Sequence, residues 1–199
     1  MHLKLALYSD QVIPGNAPID LRLLSLIGND RPRIGYVASS PDPERLWFEE
    51  KRSYYARFGA HLAPYVDESS PSLAIEDLLA CDAIHLSGGN TFHFLSWIRK
   101  RGLSELLPRY VHSGGVLVGT SAGAILMTPD IATAEHCGDQ NLDGLTDFSA
   151  LNLVDFDFLP HFAGADFTPR RKTYACPDGA GIIVGSELEL FGNVRTLEP

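Results

Sequence analysis

Val116-Leu117-Val118-Gly119-Thr120-Ser121-Ala122-Gly123-Ala124-Ile125-Leu126-Met127 joins an apolar run rich in β-branched residues to a helix-forming apolar run. The pattern predicts a strand, a sharp turn and a helix, with Ser121 at the apex. Gly119 and Gly123 bracket the serine in a G-x-S-x-G spacing, and so tight a turn admits only small side chains beside its apex. The serine oxygen then projects beyond the sheet, and the amide of Ala122 points to where an oxyanion would form. Taken alone, the same five residues also describe a glycine-rich turn with a serine N-cap. The strand before them and the helix behind them favour the nucleophile elbow.

Outward from this stretch, strands and helices alternate. Strands are expected at Leu3 to Tyr8, Arg33 to Ser39, His61 to Tyr65 and Asp82 to Leu86. Helices are expected at Asp20 to Ile27, from Pro43 to about Phe58, at Ser72 to Leu79, Phe92 to Arg101 and Ser104 to His112. This order predicts an α/β fold, a doubly wound and mostly parallel sheet with helices on both faces. Sites in such sheets form at the carboxyl ends of the strands, which sets Gly88-Gly89 and Gly119 to Gly123 on one edge, side by side. Further along, Thr128 to Ser149 reads as a polar surface excursion. Phe156 to Phe162 reads as a strand leading to His161, Ala163 to Asp178 as loop or short helix, and Gly181 to Gly185 as a buried strand. Leu188 to Phe191 and Val194 to Leu197 flank Gly192-Asn193 as a hairpin. No repeat or linker divides the chain, so one domain over residues 1–199 is expected.

A net charge of -9 and a pI near 5.1 oppose nucleic-acid binding and docking on anionic membranes. No apolar run approaches the roughly 20 residues of a membrane helix, and the first residues do not read as a signal peptide. Cys81, Cys137 and Cys176 are odd in number and lack metal-type spacing, which suggests a reducing, cytoplasmic setting. Cys137 is a weak alternative nucleophile, because no strained turn presents it.

A serine hydroxyl needs a base to take its proton, and a carboxylate on the far nitrogen of a histidine fixes the tautomer. Of seven histidines, His161 stands out because it ends a strand and opens a loop. His85 lies inside a strand and reads as a core residue, while His93 follows the glycine turn and is a secondary candidate.

Three stretches together resemble the S51 serine peptidases, the group containing dipeptidase E and cyanophycinase. They are Ser87-Gly88-Gly89-Asn90-Thr91-Phe92, Gly119-Thr120-Ser121-Ala122-Gly123-Ala124, and Ala150-Leu151-Asn152-Leu153 through Pro160-His161-Phe162. Arg101-Gly102-Leu103 is similar as well. The resemblance implies Ser121 as nucleophile, His161 as general base, and Gly89 and Ala122 as oxyanion-hole donors. It places the acid at the end of the strand after His161, for which Glu187 is the nearest match, with Glu135, Asp130 and Asp139 as alternatives. It also implies Asn90, Arg170 and Arg171 as substrate-binding residues, the arginines taking the carboxylate of an N-terminal aspartate. No metal or organic cofactor is required. Against the longer dipeptidases, the segment after His161 is short and the chain stops soon after the hairpin, so the triad is better supported than Asp-X specificity.

The expectation is thus a serine peptidase acting on small peptides, with a second copy of the chain as a candidate partner. Two alternatives stand beside it. One is a protein of the same fold that binds a small ligand without catalysis. The other is an amidotransferase-like hydrolase, which Ser121 in place of cysteine opposes.

Overall fold

The structure, a computed structural model, describes residues 2–164 and 166–199. Along the chain lie β1 (Lys4–Tyr8), α1 (Ala17–Ile27), β2 (Arg33–Val37), α2 (Leu46–Ala56), β3 (His61–Val66), α3 (Ser72–Leu79), β4 (Ala83–Leu86), α4 (Thr91–Lys100), α5 (Leu103–His112), β5 (Val116–Thr120) and α6 (Ala122–Ile125). A 3₁₀ turn at Ala132–Cys137 follows, then β6 (Asp157–Leu159), β7 (Thr173–Ala175), β8 (Gly181–Val184), β9 (Leu188–Phe191) and β10 (Arg195–Leu197). The main sheet has the order β3-β2-β4-β5-β1-β8-β9. Its first five strands are parallel, whereas β8 runs antiparallel to β1 and β9 antiparallel to β8.

The strands are apolar on both faces because helices cover both. Along β1, Leu5 and Leu7 pack into one core with α3, α4, α5 and α6, while Ala6 and Tyr8 face the other with α1 and α2. This alternation is the period of two that a pleated strand imposes. Both sides being dry, the central strands lose the polar-out pattern of a half-exposed sheet.

Two expectations about the C-terminal third are corrected. Ala163 to Asp178 contains a strand, β7, which pairs with β6 and β10 in a separate three-stranded sheet. The expected hairpin across Gly192-Asn193 does not form: β9 pairs with β8 and β10 with β7. A sharp turn at Gly192 thus passes the chain from one sheet to the other.

His85, in the middle of β4, is fully buried. Its ring stacks on Tyr36 with centroids 5.4 Å apart and planes 6° from parallel, and its Nδ1 lies 2.9 Å from the Tyr55 hydroxyl. Burial holds its pKa well below the ordinary 6.5, so the folded protein keeps the ring neutral. The unfolded chain takes up a proton near pH 6.5 that the folded chain refuses. Stability from this site is therefore complete above that pH and declines as pH falls through it toward the depressed folded value. Between pH 7 and pH 5 the wild type is expected to lose about 2 kcal/mol more than His85→Gln. Urea unfolding at the two pH values measures the difference, and equal losses would refute it.

Candidate active site

The carboxyl ends of the parallel strands gather the polar residues. A cavity of about 460 Å³ opens there. Asp10 follows β1 into it, Ser39 follows β2, Ser87 to Gly89 follow β4, and Thr120 and Ser121 end β5, while Trp47 and Lys51 reach it from α2 and His161 closes one side.

The elbow at Ser121 is strained as its sequence requires. Ser121 sits at φ 51° and ψ -110°, a region that residues with a Cβ rarely adopt. Its amide donates to Tyr8 O at 2.9 Å and that of Gly123 to Ser87 O at 3.1 Å, so the neighbouring strand ends hold the turn. The bracketing glycines are sterically required. A Cβ on Gly119 would lie 2.4 Å from the Gly123 carbonyl group, and one on Gly123 would lie 2.2 Å from Leu86 O.

Ser121 Oγ is 2.8 Å from His161 Nε2, and His161 Nδ1 is 2.6 Å from Asp178 Oδ1. His161 also sits at positive φ, and its amide donates to Ser9 Oγ at 2.7 Å. The same hydroxyl lies 3.3 Å from Asp178 Oδ1, and the Ser9 amide donates to Ala180 O. Ser9 thus ties the histidine backbone to the turn that carries the carboxylate.

Glu187 does not reach His161, and the sheet explains why. Strand β8 is antiparallel to β1, with Gly181 opposite Tyr8 and Val184 opposite Leu5. The end of β8 therefore points to the edge away from Ser121, and Glu187 lies exposed in the β8–β9 turn there. Asp178, which precedes β8, lies on the same edge as Ser121. It follows the end of β7, a strand of three residues and too short to show a period. The alternative carboxylates are also elsewhere. Asp130 pairs with Arg170 and Arg171, Asp139 accepts from the amide and hydroxyl of Thr91, and Glu135 is exposed on the 3₁₀ turn.

Gly89 has φ 133°, and a Cβ there would lie 2.1 Å from Ser39 Oγ. The Gly88 carbonyl accepts from Ser39 Oγ at 2.7 Å and Ser87 Oγ at 2.9 Å. In a trans peptide the following N–H points the opposite way, so these hydroxyls turn the Gly89 amide away from themselves. Ala122 is the first residue of α6, where an amide has no partner within the helix.

Three residues expected to bind substrate are not brought to the cavity. Asn90 caps α4, accepting from His93 N at 2.9 Å and donating to Gln140 O at 3.0 Å. Arg170 and Arg171 reach Asp130 at 3.0 and 2.7 Å, and Arg171 lies 3.4 Å from the buried Asp157. A buried carboxylate demands a nearby cation, and this demand holds the arginines among the loops around β6. His93 is likewise taken, by Asp143 at 3.1 Å. Burial pushes the Cys137 thiol up to about 12, and Cys137 is not among the residues that line the Ser121 cavity. Ser9, Lys51 and Asp178 are the site residues the sequence reading passed over. Position after β1 was the one available signal for Ser9.

Comparison with known proteins bears on the family and the fold. The model of "Peptidase family S51" matches residues 8–176. The chain is 35% identical to an uncharacterized peptidase of Pasteurella multocida over 136 residues, covering 66% of this chain and 64% of that protein. A Listeria innocua relative, also an uncharacterized peptidase, is 32% identical and matched over 56% of its length. The chain thus spans less than two thirds of these relatives. Peptidase E of Shigella flexneri is 29% identical over 172 residues, covering 82% of this chain and 70% of that protein. Among solved structures, a Listeria monocytogenes protein described as a peptidase E candidate superposes over the whole of both chains with a TM-score of 0.76 at 22% identity. A peptidase from an acI-B1 Actinobacterium gives 0.69 at 16% identity, over 100% of this chain and 95% of that one. At those identities the structures speak for the fold; the family match, with the strand-ordered serine, histidine and glycine turns, identifies the chain as a member of peptidase family S51.

Proposed function

We propose that this protein is a serine-type peptidase that hydrolyses short peptides through an acyl-enzyme. The observation that carries the reading is the continuous chain Ser121 Oγ, His161 Nε2, His161 Nδ1, Asp178 Oδ1, with steps of 2.8 and 2.6 Å, at the mouth of the cavity. His161 takes the proton of Ser121 as its oxygen attacks the peptide carbonyl. Asp178 accepts from Nδ1–H, keeps Nε2 free to act as the base, and stabilises the imidazolium that forms. The amides of Gly89 and Ala122 stabilise the oxyanion, each by roughly 3 kcal/mol in the transition state. His161 then hands its proton to the leaving amine, and water releases the acyl group by the reverse sequence. A cavity of about 460 Å³ suits a few residues of peptide rather than a polymer. Cleavage after an N-terminal aspartate is the finer form of the reading.

A fluorophosphonate probe is expected to label the protein once, with mass spectrometry placing the adduct on Ser121. Turnover of a dipeptide panel accompanies it. A folded protein that neither takes the label nor cleaves any dipeptide would sink the reading. Stabilisation by dipeptides with neither event would point to the non-catalytic binding role.

A further inference from the structure

With Arg170 and Arg171 held by Asp130, the basic residue that lines the Ser121 cavity is Lys51. It is half-buried on the inner face of α2. Among the described residues it forms neither an ion pair nor a hydrogen bond; its Nζ lies 5.5 Å from the centroid of the Tyr54 ring. Tyr54 is itself fixed by Asp20, 2.6 Å from its hydroxyl. Burial is the main influence on the Lys51 amine and lowers its pKa; Asp10, then Glu50, act the other way. A partly desolvated ammonium in direct contact with no carboxylate gains from an incoming anion more than a solvated one does.

The rest of the lining says which anion. Asp42 is occupied, accepting from the amides of Leu46 and Trp47 at the start of α2. Asp10, one of whose oxygens accepts from the Gln11 amide at 2.7 Å, and Glu50 stand beside Lys51 on the same cavity. One cation flanked by two carboxylates repels a dianion such as phosphate and suits a zwitterion. In an aspartyl residue two carbons separate the amino nitrogen from the side-chain carboxyl carbon, so a single residue can meet Asp10 and Lys51 together.

We propose that Lys51 is the specificity-determining residue of this site, its ammonium pairing with the side-chain carboxylate of the substrate residue that acylates Ser121, while Asp10 faces that residue's free α-ammonium. The assignment rests on Ser121 as nucleophile, but its test does not. L-Aspartate and L-asparagine differ by one charge at nearly constant shape. Isothermal titration of each into Ser121→Ala protein reads binding without chemistry, and kcat/KM for Asp-Leu and Asn-Leu reads it with chemistry. The wild-type background is expected to favour the aspartyl ligand by about 10- to 100-fold. Lys51→Met is expected to bring that ratio close to one, and Lys51→Arg to restore most of it. Because the ratio compares two ligands on the same protein, partial misfolding cannot imitate its collapse. A ratio unmoved by Lys51→Met overturns the proposal, as does failure of the background protein to prefer aspartate. Absence of both fluorophosphonate labelling and dipeptide turnover would overturn the peptidase reading and leave the titration ratio to decide on Lys51.

Discussion

Asp178→Asn is expected to lower kcat on a cleavable dipeptide by roughly a thousand- to ten-thousand-fold, whereas Glu187→Gln leaves it within about twofold. The loss comes from the tautomer rather than from charge alone. In the proposed triad Asp178 accepts from Nδ1–H, which leaves Nε2 of His161 unprotonated and 2.8 Å from Ser121 Oγ. An amide in its place offers an N–H to Nδ1, which favours the proton on Nε2, where it blocks the base. The His161 and Asp178 side chains are 41% and 56% exposed, so water and salt screen much of their direct attraction. The directional requirement persists, because it concerns which nitrogen carries a proton. Steady-state kinetics on both variants, each with a melting temperature close to wild type, separates the two carboxylates. Strong loss in Glu187→Gln with activity kept in Asp178→Asn would reverse the assignment.

Gly123→Ala is expected to destabilise the fold by about 3 kcal/mol. For a chain of this length that corresponds to a fall of roughly 6–12 °C in melting temperature. The new methyl would lie 2.2 Å from Leu86 O and 2.7 Å from Leu86 C and Cβ. Those atoms cannot withdraw easily, because β4 is paired on both sides, with β2 and with β5. The clash also pushes apart the two turns that form the site, since Gly88 packs against Ser121 and the Gly123 amide holds Ser87 O. Gly138→Ala is the control. Its methyl would meet nothing within 4 Å, so only the positive φ of 86° opposes it, at about 1 kcal/mol. Differential scanning calorimetry compares the two; equal shifts would show that close packing at the elbow is not the cause.

Much of this site was legible because its signals are local. The bracketing glycines of Ser121 are dictated by contacts within one turn and with its neighbouring strand. Gly88-Gly89 is marked as a turn by its own composition, and parallel strands joined by helices put both turns on one edge. His161 announced itself by ending an apolar alternation. What was illegible depends on partners distant in the chain. Thr173–Ala175 is too short to show a period, so β7 and the acid that follows it were hidden. The Arg170-Arg171-Lys172 cluster looks like an anion site until Asp130 and the buried Asp157 are seen to claim its arginines. Lys51 sits among ordinary helical charges, and its face on α2 becomes special only where α2 meets the cavity.

The α/β alternation, the tight elbow at Ser121, the glycine turn beside it and the histidine after β6 are all readable from the chain alone. Each of these follows from residues adjacent along the chain or from the steric limits of a single turn. Which carboxylate lies beside His161 and which basic side chain lines the Ser121 cavity depend on contacts distant in the chain. Gly181-Ile182-Ile183-Val184 carries the same apolar pattern whether it runs parallel or antiparallel to β1, because side-chain alternation has no direction. Its antiparallel course carries Glu187 to the far edge of the sheet and sets Asp178 against His161.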